Sequence, residues 1–245
     1  MSAAPVVSLV GRFAVTQVPL SVRLEEGTAA TRREAEHTPF LRNLFRGPWG
    51  TSVYGQLVRG RHYVTYLQCL LEVYEALEAA MEALCVHPVV GSFLLPELWR
   101  SQALEADLRC FLGESWQEAP RPVHLAALHV ERIRQLVVVA PHLLVAHAYA
   151  RYARDILVGP ALASQVARTF ELSEGEGTAF FQAVKAESLD ILRHRVDGLL
   201  NRLPLTEEGK GEVVQEGRLA LRLDTLLCDA LARESLGLGA ANVEG

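Results

Sequence analysis

Four cysteines in 245 residues, none in a C-x-x-C pair, are too few and too scattered for a disulfide framework or a thiolate metal site. Cys69, Cys85, Cys110 and Cys228 therefore read as free thiols of a reducing, cytoplasmic compartment. Aromatic residues make up only 7% of the chain, too few for the half-buried faces of a β-sandwich or barrel. No stretch reaches the roughly 18 to 20 uncharged apolar residues needed to span a bilayer, which argues against a membrane anchor. Val6, Val7, Leu9 and Val10 lack a basic leader and are interrupted by Arg12, which argues against a signal peptide. Basic residues form no block. The net charge of −5 comes from interleaved acids and bases, so a nucleic-acid partner is not expected.

What is present is Ala and Leu. Half of the residues are apolar and 22% are charged, a globular balance that suits helices packed on helices. The length fits one domain. Residues 1–24, rich in Val and broken by Gly11 and Pro19, read as an extended arm. Residues 25–234 read as one helical domain, and 235–245 as a flexible tail. Acidic residues open a helix near Glu25, and Pro39 and Gly47-Pro48 bracket its end. Leu67, Leu70, Leu71, Tyr74, Leu77 and Met81 recur at spacings of three and four, predicting one long amphipathic helix over about 56–84. Further helices are predicted over 96–111 (ended by Gly113), 124–138, 141–159 (ended by Gly159-Pro160), 161–170 and 179–200. The last, over 206–233, has Thr206 as its N-cap. Seven or eight helices make a compact all-α bundle with an extended N-terminal arm.

Several segments in this frame resemble one family. Leu144-Val145-Ala146-His147-Ala148-Tyr149-Ala150-Arg151-Tyr152 is similar to the distal-helix signature LLVAHAYTRY of heme oxygenases, especially their animal-like branch. Glu174-Gly175-Glu176-Gly177-Thr178-Ala179-Phe180-Phe181 resembles their GEG-x-AFF element. Ala103-Leu104-Glu105-Ala106-Asp107-Leu108 and Trp116-Gln117-Glu118 resemble ALE-x-DL and WQE. Ala35 to Asn43 resembles the end of their proximal helix. The likeness runs from about Leu24 to Leu231. It implies a heme oxygenase-like bundle in which haem lies between a proximal helix, whose histidine ligates iron, and a kinked distal helix rich in glycine. Family members convert haem to biliverdin, carbon monoxide and iron, with electrons from a reductase or ferredoxin.

The family's site residues fare unevenly in this chain. Thr28 and Ala35-Glu36 fit the frame around the proximal ligand, and the ligand position itself is Arg32. A guanidinium is always protonated and has no lone pair for iron. His37, the nearest histidine, lies ~140° around the helix and ~7 Å along it from Arg32. The family's propionate lysines fall at Glu25, Ala29 and Leu189, while Arg193 keeps the following arginine and Tyr149 matches a further propionate partner. On the distal helix the family's G-D-x-x-G-G reads Arg154-Asp155-Ile156-Leu157-Val158-Gly159. Asp155 matches the carboxylate that organises distal waters, and Gly159 is the one glycine retained. Arg154 and Val158 restore helix propensity and add side-chain volume where the family keeps space.

These changes imply a degenerate site. The expectation is a non-catalytic relative that binds a protein partner, a metal-free or linear tetrapyrrole, or a second copy of itself as a homodimer. A plant branch of the family similarly carries arginine at the ligand position. The alternative is an active heme oxygenase using haem with an altered ligand such as His37. A lesser alternative is a di-iron oxidase on the same fold, for which Asp190 and His194 stand four apart, although no complementary ligand set is found and no metal site is expected. If haem is closed out, the proximal and distal helices are expected to close on each other with aliphatic side chains filling the gap, and Arg32 and Arg154 each to turn to solvent or meet a carboxylate, with Asp155, Glu36 and Glu25 the nearest in sequence.

Overall fold

The computed structural model describes residues 17–46, 53–173, 175–182 and 189–235, apart from the side chains at 43, 45–46, 53–59, 153–158, 160–161 and 235. Among them are nine α-helices and no strand: α1 (Leu20–Glu36), α2 (Pro39–Arg46), α3 (Val53–Ala83), α4 (Ser101–Leu112), α5 (Val123–Val139), α6 (Leu144–Phe170), α7 (Ala179–Gln182), α8 (Leu189–Asn201) and α9 (Glu207–Ser235). No described helix is long and apolar enough to cross a membrane.

Helix α1 starts five residues before the expected Glu25, so residues 20–24, expected to belong to an extended arm, are helical. Pro19 adopts φ −56° and ψ 148°, a non-helical N-cap geometry, and the chain turns helical immediately after it. Leu20, Leu24, Thr28, Thr31 and Ala35 form one buried stripe at spacings of three and four. That stripe lies on α9. Gly27 and Gly217 mark the contact: a Cβ built at Gly27 would stand 2.6 Å from the Val214 side chain, and one at Gly217 would stand 3.3 Å from Leu24 and Thr28. The expected arm over residues 1–16 and tail over 236–245 lie outside the described residues.

The long third helix follows its periodicity, with Leu67, Leu70, Leu71, Tyr74, Leu77 and Met81 all buried. Gly113 (φ +80°) closes α4 in a conformation that disfavours a side chain. Thr206 caps α9, its Oγ1 accepting the Gly209 amide at 3.1 Å.

Helix α6 departs from expectation. Gly159-Pro160 does not end it, and the helix continues to Phe170, where Glu171 takes the left-handed conformation (φ 53°). Proline removes one backbone donor and crowds the preceding turn, yet a helix anchored at both ends by packing tolerates one such position. The buried Leu144, Val145 and Ala148 anchor one end, and Ala163 and Val166 the other. The helix expected over 179–200 is described as α7 and α8, with 183–188 between them outside the description.

α9 is the central support. It carries α1 and α2 on one side and α5 and α6 on another, while α3 packs on α4 and α5. α1 leans on α8 and α9 and has no extended packing against α6 among the described residues.

Candidate functional site

The gap between α1 and α6 is where the resemblance places a ligand. On α1, Thr28 is buried, and its hydroxyl donates to the Leu24 carbonyl at 2.6 Å. One turn later Arg32, half-buried, sends Nη2 to Thr28 Oγ1 at 3.1 Å and across the gap to Tyr149 Oη at 3.0 Å. Its guanidinium carbon lies 5.9 Å from the centre of the Tyr149 ring. This contact spans the two helices. Among the described side chains Arg32 thus meets hydroxyls and no carboxylate, and the Asp155 side chain, one of its expected partners, lies outside the described residues. α9 packs against both helices.

Burial pushes the Tyr149 phenol above its usual range, Arg32 opposes the shift through charge and hydrogen bond, and Glu25 and Asp197 add to it. The phenol is therefore a neutral hydroxyl at pH 7.

Arg193 does not face the gap as a free cation. Its Nη2 pairs with Glu25 Oε1 at 3.0 Å on the exposed surface. The carboxylate that replaces a family lysine thus occupies the arginine that the family keeps. His37 is exposed at the end of α1, with Nδ1 2.8 Å from the Arg33 carbonyl, where it closes the helix terminus. His194 makes the corresponding contact with its own helix, Nδ1 to the Asp190 carbonyl at 2.7 Å. Among the described residues no group of three His, Cys, Asp or Glu could hold a metal ion.

Gly159 is buried in α6, and a Cβ there would stand 2.7 Å from the Phe181 carbonyl oxygen of α7. Its missing side chain admits the neighbouring backbone. Asp155 belongs to the same helix, but its side chain, like those of Arg154 and Val158, lies outside the described residues.

Beneath α6 lies a buried polar cluster that the sequence reading passed over. Arg151 Nη2 stands 3.3 Å from His129 Nδ1, His129 Nε2 stands 3.2 Å from His147 Nδ1, and His147 Nε2 stands 2.9 Å from Glu216 Oε1. His129 Nδ1 also stands 3.4 Å from Asp224 Oδ1, so the two imidazoles bridge two carboxylates, Asp224 at one end and Glu216 at the other. Burial lowers His129 to about 4, with Asp224 opposing and Arg151 and His147 adding to the fall, so it is neutral at pH 7. Arg151 also pairs with Asp224, and Arg132 grips both Glu216 oxygens at 2.9 and 2.7 Å. A signal was present: His147 and Arg151 stand four apart in an otherwise apolar run, one polar row on a buried helix.

Haem iron needs an axial lone pair on its proximal face. Arg32 supplies none, His37 faces its own helix end, and His147 has both ring nitrogens engaged. The described residues of α1 and α6 therefore do not fit a histidine-ligated haem.

Comparison with known proteins places these observations. Residues 18–228 match the family described as heme oxygenase. The chain is 28% identical to heme oxygenase 1 of Synechocystis sp. over 87% of this chain and 85% of that protein. It is 32% identical to heme oxygenase 2 of Macaca fascicularis over 89% of this chain and 69% of that protein. The crystal structure of the Synechocystis heme oxygenase-1 in complex with heme superposes with a TM-score of 0.80 at 27% identity, covering 90% of this chain and 95% of that one. The Synechocystis heme oxygenase-2 complex with heme and NO gives a TM-score of 0.81 at 26% identity, covering 90% and 88%.

Proposed function

The chain belongs to the heme oxygenase family, and from that premise we propose that it is a non-catalytic member acting as a binding protein for a tetrapyrrole or a protein partner. The observation that carries this reading is Arg32. The residue at the ligand position is a permanent cation whose Nη2 is bonded to Thr28 on its own helix and to Tyr149 on α6. Swinging it aside would break both bonds and would still present no lone pair to iron. The propionate arginine of the family, Arg193, is paired with Glu25 in addition. A cytoplasmic setting accords with the four free cysteines. In this role the protein needs no reductase or ferredoxin.

Hemin titration followed by absorbance tests the reading. The expected result is weak association without the discrete Soret band of a six-coordinate histidine complex. A stoichiometric, sharp Soret complex lost on His37→Ala overturns it and establishes the alternative, an active heme oxygenase with a displaced ligand. That alternative requires His37 to leave the Arg33 carbonyl and cross to the gap face of α1.

A further inference from the structure

Helix α5 packs on α3 and α9, yet it keeps a run of aliphatic side chains in solvent. Val123, Leu128, Val138 and Val139 are all exposed, Val138 over 81% of its surface. Val123, Ala127, Val130, Arg134 and Val137 recur at spacings of four and three, so they form one seam along the helix, apolar but for a single arginine. Beside this seam α3 and α5 leave an open groove of about 390 Å³. Ala76, Ala79 and Ala80 line it on α3, and Val130, Ile133 and Val137 on α5. The small side chains of α3 leave room there for the aliphatic groups of a neighbour.

The two ends of the groove carry opposite charge. α3 and α5 run in the same direction, since Gln68 meets the Pro120 carbonyl and Glu72 meets Arg121 before both helices continue along the groove. At its start Arg121 is shared between Glu72, at 3.0 Å, and Glu75, at 3.6 Å, which leaves one negative charge in excess. Burial raises the Glu75 carboxyl, Arg121 opposes the rise, and Glu72, Glu105 and Glu78 add to it. Farther along, Arg134 is exposed and has no hydrogen-bond or ion-pair partner among the described residues. The face thus reads anion, aliphatic stripe, cation. A second copy of the chain turned end for end presents the same three features in reverse.

We infer that α5 and the groove beside it form a two-fold interface between two copies of this chain, the α5 helices lying antiparallel about Val130 and Arg134 of each copy meeting Glu75 of the other. Arg134 stands about 6 Å beyond Val130 along the helix, and the two-fold rotation carries it an equal distance toward the start of the partner helix, where the acidic excess lies. The axis repeats each contact, so both ion pairs form together over an apolar centre. An unrelated partner would need the same order and spacing of groups by coincidence. Arg32 and Tyr149 take no part in this interface.

Sedimentation velocity of the full chain between about 1 and 100 µM tests it. A monomer–dimer equilibrium with half-association on the order of 10 µM or lower is expected. Arg134→Glu should weaken the dimer by about 100-fold, about 10-fold for each of the two symmetry-related pairs. Adding Glu75→Arg should recover most of that loss, because the pair is rebuilt with its signs exchanged. Val138→Asp should weaken the dimer by about 10-fold or more, since it buries a charge in the apolar contact. Arg134 and Val138 are exposed, so neither substitution disturbs the core, and far-ultraviolet circular dichroism checks that each variant is folded. A monomer throughout the concentration range overturns the inference and leaves the face to a different protein. A dimer that Arg134→Glu leaves intact overturns the assignment to this face. A dimer weakened by Arg134→Glu and not recovered by the double variant overturns the antiparallel pairing.

Discussion

Glu216→Ala probes the row of buried polar groups beneath α6 at its anchored end. The carboxylate receives two bonds from Arg132, at 2.9 and 2.7 Å, and one from His147, at 2.9 Å. Its removal leaves His147, 0% exposed, with a ring N–H and no acceptor, a loss of ~1–3 kcal/mol. The Arg132 side chain is 29% exposed and turns to water, so its share is smaller, ~1 kcal/mol. Truncating a buried side chain of this length adds a void worth ~1 kcal/mol. The sum, ~3–5 kcal/mol, lies in the range for removing one partner of a buried ion pair, and for a chain of this size it lowers Tm by on the order of 10 °C. Urea unfolding followed by circular dichroism at pH 7 measures it. The pH dependence supplies a second check. Burial would raise the Glu216 carboxyl, but the bonds from Arg132 and His147 outweigh it and hold the group at about 2, below the ordinary 4.5. A depressed carboxylate stabilises the fold above its unfolded pKa and loses that contribution as pH falls through the folded value. The gap between unaltered and variant proteins should then be constant from pH 8 to pH 5 and shrink as the pH is taken from 4.5 toward 2. A gap below ~1 kcal/mol at pH 7, or one that widens on acidification, would falsify the assignment of this cluster as a satisfied structural network.

Asp107 behaves in the opposite sense. It accepts the Ala179 and Phe180 amides at 2.7 and 2.9 Å, yet burial outweighs those bonds and pushes its carboxyl up to about 6. The carboxyl's contribution to stability is full below pH 3.8 and lost as pH rises through about 6, so Asp107→Asn should flatten the stability profile between those values in denaturant titrations. Gly159→Ala should cost ~1–3 kcal/mol, because its Cβ would meet the Phe181 carbonyl at 2.7 Å, and a thermal melt indistinguishable from that of the unaltered protein would show that α7 can retreat freely. Arg32→His alone should not restore haem turnover, since Arg154 and Val158 still stand on the distal helix; biliverdin formed by that variant with a reductase would show the distal face to be permissive. Iron analysis of the purified protein should find no stoichiometric di-iron pair, and two irons per chain would revive the oxidase alternative.

The sequence by itself determined whatever depends on short-range pattern. The leucines of α3, the glycine after α4 and the Thr206 cap lie within a turn of the backbone they control, so periodicity and capping chemistry located them. The resemblance likewise implies Arg32 at the ligand position and Glu25 at a lysine position, a step that needs only the order of residues. Partners were another matter. Arg32 meets Tyr149 from 117 positions away, Arg193 meets Glu25 from 168, and His147 meets Glu216 from 69. Glu25, close to Arg32 in sequence, pairs with Arg193 instead, and Arg32 reaches the hydroxyl of the distant Tyr149. The start of α1 and the passage of α6 through Pro160 were also decided by tertiary structure. Local propensity for Val and Pro is worth about 1 to 3 kcal/mol per position, and burial of a full apolar stripe along either helix outweighs it. Gly159 shows the same division: order alone made it a residue of the ligand face, and the fold set the Phe181 backbone where its side chain would be.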